Sequence, residues 1–299
     1  MISIIIPTYN AVPYLAILLE ALEQQILTDA EVVVIDSSSL DNTVEIARSH
    51  GVRTLSIPKH EFDHGLTRTM GAQQAQGEIL VYLTQDALPI GRNALVKLIE
   101  PFGDDRQVGV TFGRQLSRAD ATPFGQHLRL FNYPAISYRR SLSDCAGHGI
   151  RAAFCSNSFA AYRKSALEEV GWFKGGLLMG EDMHACATML LKGYKVAYAA
   201  DATVLHSHNY AIAQEFKRYF DMGVFLQKER WILDTFGKAE GEGLRFVRSE
   251  LAYLWDQGLY HLIPASIARA GAKWLGYRLG HMYTSLPRSL MKRLSMHST

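Results

Sequence analysis

Asp86 stands in GEILVYLTQDALP, residues 77–89, where the apolar run Ile79 to Leu83 gives way abruptly to Thr84, Gln85 and Asp86. A buried strand would thus deliver one carboxylate to the rim of a sheet. It could hold a divalent cation against a phosphate there, or equally cap a turn before Pro89. Asp36 ends the run EVVVI (31–35) in the same way, where a carboxylate can accept hydrogen bonds from a base N–H or a ribose hydroxyl, or cap the turn begun by Ser37 to Ser39. Glu181 and Asp182 follow Gly180 at the start of a helical pattern, a place the helix dipole favours for carboxylates. His206 and His208 are two apart in an extended stretch, so they share a side while Ser207 points away. The block Asp63, His64, Gly65, Leu66, Thr67, Arg68 opens a helix, and backbone N–H groups with a nearby arginine suit a diphosphate or a deoxysugar.

The elements that must position these groups alternate. Ser3–Ile6, Glu31–Ile35, Val52–Ile57 and Glu78–Leu83 read as strands. Helical spacing lies between them: Tyr14–Gln24 with Leu15, Leu18, Leu19 and Leu22 on one face, a helix capped by Asp41 through Ala47, and Leu66–Gln76. Continuous Val/Ile/Leu strands separated by helices predict a parallel sheet covered on both faces, an α/β nucleotide-binding half. Further on, Val108–Phe112 and Phe154–Tyr162 read as strands, Glu181–Leu191 as a helix, Lys195–Ala199 and Thr203–Leu205 as extended, and Ala213–Phe236 as one long helix. Pro123–Ser143 is aromatic, basic and without clear period, which predicts a partly mobile insertion on the acceptor side.

Composition narrows the function classes. With 299 residues and 48% hydrophobic content the chain can bury a real core, and a net charge of +2 argues against nucleic acid as the main partner. Three cysteines, Cys145, Cys155 and Cys186, give neither a disulfide framework nor a metal-type pairing, which fits a reducing cytoplasm. MISIIIPTYN lacks a basic leader, and no apolar run has the length of a membrane span, so neither a signal peptide nor a span is expected. From Gln257 onward there is no Asp or Glu. Arg269, Lys273, Arg278, Arg288, Lys292 and Arg293 stand there among Leu, Trp and Tyr, a pattern that suits anionic headgroups and equally a packing helix with a solvated basic face.

Taken in order, IIIPTYN, VIDSSSLDNT, EFDHGLTRTMGAQQAQGEILVYLTQDALP, GEDMH and LHSHNY resemble the inverting family 2 glycosyltransferases of GT-A fold, most closely bacterial rhamnosyltransferases of cell-surface polysaccharide synthesis. The resemblance runs from Met1 to about Glu250. It implies an α/β GT-A domain over 1–210, with a mostly parallel central sheet flanked by helices, and a mostly helical extension over 211–299, either membrane-associated or oligomerising. By the same resemblance, Asp36 reads the base, with Pro7, Thr8 and Tyr9 as the opposite wall; Asp63, His64, Arg68, Gln85 and Asp86 meet the donor. Asp182 is the general base and Glu181 orients it or the acceptor. Asp86 binds Mg²⁺ or Mn²⁺ together with His206, or with His208 as the alternative. Thr84 stands where the first Asp of the family's DXD signature would be.

The implied reaction transfers rhamnose from dTDP-rhamnose to a saccharide or lipid-linked acceptor at the cytoplasmic face of the inner membrane. The rival from a different class is a catalytically inactive, GT-A-like sugar-nucleotide-binding or scaffold protein. A nucleotidyltransferase would need a Gly-rich, basic loop after the first strand, and Pro7 to Asn10 supplies none.

Overall fold

Strands that are apolar on both faces must be covered on both, and the chain winds accordingly. The computed structural model describes residues 1–27, 29–237 and 241–297. Strand β1 (Ile2–Thr8) leads through α1 (Val12–Glu23) to β2 (Ala30–Asp36), α2 (Thr43–Ser49), β3 (Arg53–Ser56), α3 (His64–Gln74) and β4 (Ile79–Leu83). These strands lie parallel in the order β3-β2-β1-β4. Period-two alternation divides the core: Ile4 and Ile6 pack with Leu15, Leu18 and Leu19 of α1, whereas Ile5 belongs to the opposite layer with Ala72 and Tyr82.

Beyond β4 the strand directions change. The chain continues through β5 (Leu88–Pro89), α4 (Ala94–Asp104), β6 (Val108–Leu116), α5 (Pro123–Asn132), β7 (Tyr138–Arg140) and the short α6 (Cys145–His148). Next come β8 (Phe159–Arg163), α7 (Lys164–Glu169), α8 (Glu181–Leu191) and β9 (Lys195–Leu205). β8 inserts antiparallel between β4 and β6, and β9 runs parallel to β6. Because β8 opposes β4, the residues that enter β8 lie at the edge where β4 leaves the sheet.

Several expectations are corrected here. The strand expected over Phe154–Tyr162 begins only at Phe159, since 149–153 form a 3₁₀ turn and the loop after it sends Ser156 and Asn157 into side-chain hydrogen bonds. Pro123–Ser143 is an ordered helix and a short strand: Thr122 Oγ1 caps α5 by accepting from Gly125 N at 3.3 Å. Its hydrophobic period is hidden because the inward residue His127 is polar, bonding Ser249 Oγ at 2.9 Å. The two extended pieces after Lys195 are one strand, whose register against β6 shifts between the Gly113–Ala199 and Arg114–Thr203 pairs. The long helix breaks at Glu229 into α9 (Ile212–Lys228) and α10 (Arg230–Phe236).

The remaining helices are α11 (Glu242–Asp256), α12 (Ile263–His281) and α13 (Arg288–Leu294). α9 and α12 cross in backbone contact: a Cβ at Gly223, Gly276 or Gly280 would strike the carbonyl of Tyr277, Phe216 or Phe220 respectively. Two of the cations in the basic segment turn inward, with Arg269 and Lys273 at 3.0 and 3.6 Å from Glu215 Oε1. Those two hold helices together and are not available to a headgroup.

Candidate active site

The carboxyl edge of the sheet gathers the polar residues that the strands deliver. Asp36, 2% exposed, ends β2; its Oδ1 accepts from Thr8 Oγ1 at 3.2 Å and Ser39 Oγ at 2.5 Å, and its Oδ2 accepts from Ser39 N at 2.9 Å. Pro7 pairs in register with Ile35 beside it. Gln85 fastens the exits of β1 and β4, accepting from Tyr9 N at 2.9 Å and donating to Tyr9 O at 3.2 Å. The Tyr9 hydroxyl lies 2.7 Å from Lys59 Nζ. Asn10 and Ser38, both on this rim, hold left-handed backbone with φ of 48° and 58°. Non-glycine residues in that region are uncommon and concentrate at ligand sites.

Asp86, His206 and His208 converge, with one donor atom of each lying within 4.8 Å of the others. His206 Nε2 is 3.5 Å and His208 Nδ1 is 3.9 Å from Asp86 Oδ2. An ion about 2.1 Å from each of three oxygen or nitrogen donors asks for donor separations of roughly 3–4 Å, so the group fits. Gln115 Nε2 donates to Ser156 Oγ at 3.0 Å, which leaves Gln115 Oε1 to accept from His206 Nδ1 at 2.8 Å. With that tautomer, Nε2 turns a lone pair toward a carboxylate, and only a proton or a cation reconciles the two. Burial depresses His206, against the pull of Asp86, so a proton is poorly held. Burial would raise Asp86, but hydrogen bonding and charge from His206, then His208 and Thr84, outweigh it and leave the carboxyl well below the usual range. His208 is pushed down to about 4, by burial first and by His206 second, and is neutral at pH 7.

The acidic pair stands one step along the same edge. Gly180, with φ of 87°, turns the chain so that Glu181 and Asp182 open α8. Asn157, which precedes β8, donates from its backbone to Asp182 Oδ2 at 3.2 Å and from Nδ2 to Glu181 Oε1 at 3.1 Å. A chain of contacts therefore runs from Asp86 through His206, Gln115, Ser156 and its neighbour Asn157 to Asp182. Asp182 is pushed up to about 7, by burial first and by the charge of Glu181 second. Glu181 stays below its ordinary value: burial opposes this, and Arg68, His64 and Asn157 overcome it.

Other expected contacts are already committed. Asp63 is the N-cap of α3; its Oδ1 accepts from Gly65 N and Leu66 N, both at 2.8 Å, and its Oδ2 accepts from Gly176 N at 2.7 Å. Arg68, 5% exposed, lies with its NH1 3.3 Å from Glu181 Oε1, so meeting a phosphate would mean giving up that carboxylate. His64 lies against Arg68, with Nδ1 3.4 Å from its NH1. His184 packs edge-on to Trp231, 3.6 Å from Glu229, facing α10. Gln115, Ser156 and Asn157 were missed from sequence. Gln115 lies inside β6, after Gly113 and Arg114 and before Leu116, so no apolar run breaks off at it to mark it. A cavity of about 50 Å³ borders Asp86, lined by Tyr14, Gln85, Leu88 and Arg118 among others; larger ones, about 450 and 480 Å³, open away from these carboxylates.

Comparison with known proteins shows the family and the fold. Residues 3–171 match the model of the family described as Glycosyl transferase family 2. The chain is 41% identical over 300 residues to the O-antigen chain rhamnosyltransferase RfbN of Salmonella typhimurium, covering 100% of this chain and 95% of that one. It is also 41% identical to the O-antigen chain rhamnosyltransferase WbaN of Salmonella anatum, covering 99% and 94%. These matches extend the likeness past Glu250 through the helical segment. Among solved structures, the mannosyltransferase PcManGT of Pyrobaculum calidifontis, in complex with GDP-Man and Mn²⁺, superposes with a TM-score of 0.61 at 19% identity, covering 98% of this chain and 84% of that one. S. aureus TarS, in complex with UDP-GlcNAc, follows at 0.55 and 17%, covering 95% and 91%.

Proposed function

Since the chain belongs to glycosyltransferase family 2, we propose that it is an inverting rhamnosyltransferase, using dTDP-rhamnose and a saccharide or lipid-linked acceptor in cell-surface polysaccharide synthesis. One observation carries the reading: a carboxyl poised near pH 7, Asp182, is joined through Asn157, its neighbour Ser156 and Gln115 to His206 of the Asp86–His206–His208 group. Asp182 takes the proton of the acceptor hydroxyl as that oxygen attacks the anomeric carbon. Glu181, fixed by Arg68 and Asn157, holds Asp182 in place and keeps its proton affinity high. Asp36, Thr8 and Tyr9 line the nucleoside end, where Asp36 accepts from base or ribose. Asp86, His206 and His208 would hold Mg²⁺ or Mn²⁺, which when bound offsets the charge of the departing diphosphate; the Mn²⁺ in the PcManGT structure supports this. Residues 1–210 form the catalytic unit in this reading and 211–299 the helical extension. The inactive-scaffold alternative leaves the raised carboxyl at Asp182 without a purpose.

The assay is direct. Among nucleotide sugars offered with Mn²⁺ and an acceptor extract, dTDP-rhamnose should be the one turned over, and it should raise the melting temperature by mass action. Faster turnover of another donor would reject rhamnose as the sugar.

In this reading the enzyme works at the cytoplasmic face of a membrane, and the extension supports the membrane contact. Among the described residues no helix is long and apolar enough to cross one. The outer face of α12 nonetheless exposes Ile267, Trp274 and Leu275, at 59, 65 and 46%, followed by its C-cap Met282 at 53%, with Arg278 on the same side. Tryptophan and leucine beside basic residues are what an interfacial helix presents to anionic lipid. The protein should sediment with vesicles of roughly one-third phosphatidylglycerol, and weakly with neutral ones, each basic residue contributing about 1 kcal/mol. Trp274→Ser with Arg278→Glu should abolish sedimentation. Undiminished binding would refute this face, and a dimer that the same variant disperses would make α12 a subunit contact instead.

A further inference from the structure

The segment that follows α13 returns to the site. Asp221 of α9, fully buried, accepts at Oδ2 from the backbone N–H of Met296 at 2.9 Å and of His297 at 3.2 Å. Asp221 Oδ1 is buried without a hydrogen-bond partner among the described residues, so these two donors at Oδ2 are what the carboxylate has, and losing them would be costly. Ser295, 5% exposed, adds its Oγ as an acceptor for His297 N at 3.2 Å. Held in this way, the His297 ring packs edge-on against His64, centroids 5.4 Å apart and planes at 89°. His64 is braced on its other side by Phe62, at 5.0 Å. It also accepts from Arg68 NH1 through its backbone carbonyl at 2.9 Å, and Arg68 meets Glu181.

We infer that Ser295–His297 completes the transfer site, and that His297 is a positioning residue holding His64 over the Arg68–Glu181 pair and keeping that pair dry. The inference rests on Asp182 being the base. A low-dielectric surround strengthens every charge interaction inside it, so water admitted beside Glu181 would weaken both the grip of Arg68 and the repulsion Glu181 exerts on Asp182. The groups that face Asp182 are Glu181 and Cys186 of its own helix, Arg68 of α3, Tyr162 of β8 and Tyr133 beyond α5. His297 itself is depressed, by burial first and then by Arg218 against Asp221 and Glu181, so its role at neutral pH is that of an uncharged ring.

An uncharged role makes phenylalanine the conservative replacement. His297→Ala should lower kcat roughly tenfold through misplacement of the acidic pair, with donor KM changed less than about twofold and melting nearly unchanged. It should also move the acid limb of the kcat profile to lower pH, by about half a unit, as Glu181 is screened. His297→Phe should recover most of the rate and the parental limb. A His297→Ala enzyme with parental kcat and limb, or a His297→Phe enzyme no better than His297→Ala, would overturn the inference. Asp182→Asn, run alongside, separates the premises: if that variant stays active the base assignment fails, whatever His297 does.

Discussion

Asp182→Asn should reduce turnover by roughly 10²–10⁴-fold, about 3–5 kcal/mol of barrier, while the affinity for nucleotide and donor stays within a factor of two. The asymmetry follows from where Asp182 sits, at the start of α8, bonded to Asn157 and away from the Asp36 end that would take the base. In the parent enzyme kcat should fall as pH drops below about 7, because a protonated Asp182 cannot accept the acceptor's proton. The same raised pKa fixes the sign of a stability effect. The folded state binds this proton more tightly than the unfolded chain, so this group's contribution to stability is whole below about pH 4 and is lost as pH rises through 7. Asp182→Asn should therefore melt above the parent at pH 8 and close to it only at about pH 4. Calorimetric titration with dTDP, initial rates and melting at the two pH values test all three, and retained turnover would reject Asp182 as the base.

Asp86→Ala should remove metal-stimulated donor binding and with it nearly all transfer. Asp86 is the sole carboxylate of its cluster, and two neutral imidazoles alone make a weak site for an oxygen-preferring ion. His206→Ala should follow closely. Gln115→Leu, which touches neither metal nor substrate, should cost about 10–100-fold in metal affinity by releasing the His206 tautomer. Titrating Mn²⁺ into each variant with dTDP present measures this. Affinity unchanged in Asp86→Ala would remove Asp86 from the metal site.

What could be read from the chain and what could not divides along physical lines. The βα units from β1 to β4 were legible because parallel strands buried on both faces are continuous apolar runs, and their polar endings mark the rim. Asp36, Asp86, Asp182 and His206 were named on those grounds together with the family resemblance. The antiparallel entry of β8 was invisible, since β8 looks like any other apolar strand. Asn157, which depends on that direction, was lost with it. Arg68 looked like a phosphate ligand because an arginine's partner lies far off in sequence, here Glu181 across 113 positions. α5 was hidden by His127, whose burial rests on Ser249 and an aromatic surround of Phe246 and Tyr253.

The glycines at the α9–α12 crossing set a limit on protein engineering. At Gly223, Gly276 and Gly280 the smallest side chain would meet a main-chain carbonyl, and a carbonyl within a helix cannot be rotated aside. Libraries that randomise the C-terminal helices would lose most members there to misfolding before any screen for new acceptors began. Diversity in these helices is better placed at positions off the crossing and off the Trp274–Arg278 face, where substitution leaves both intact.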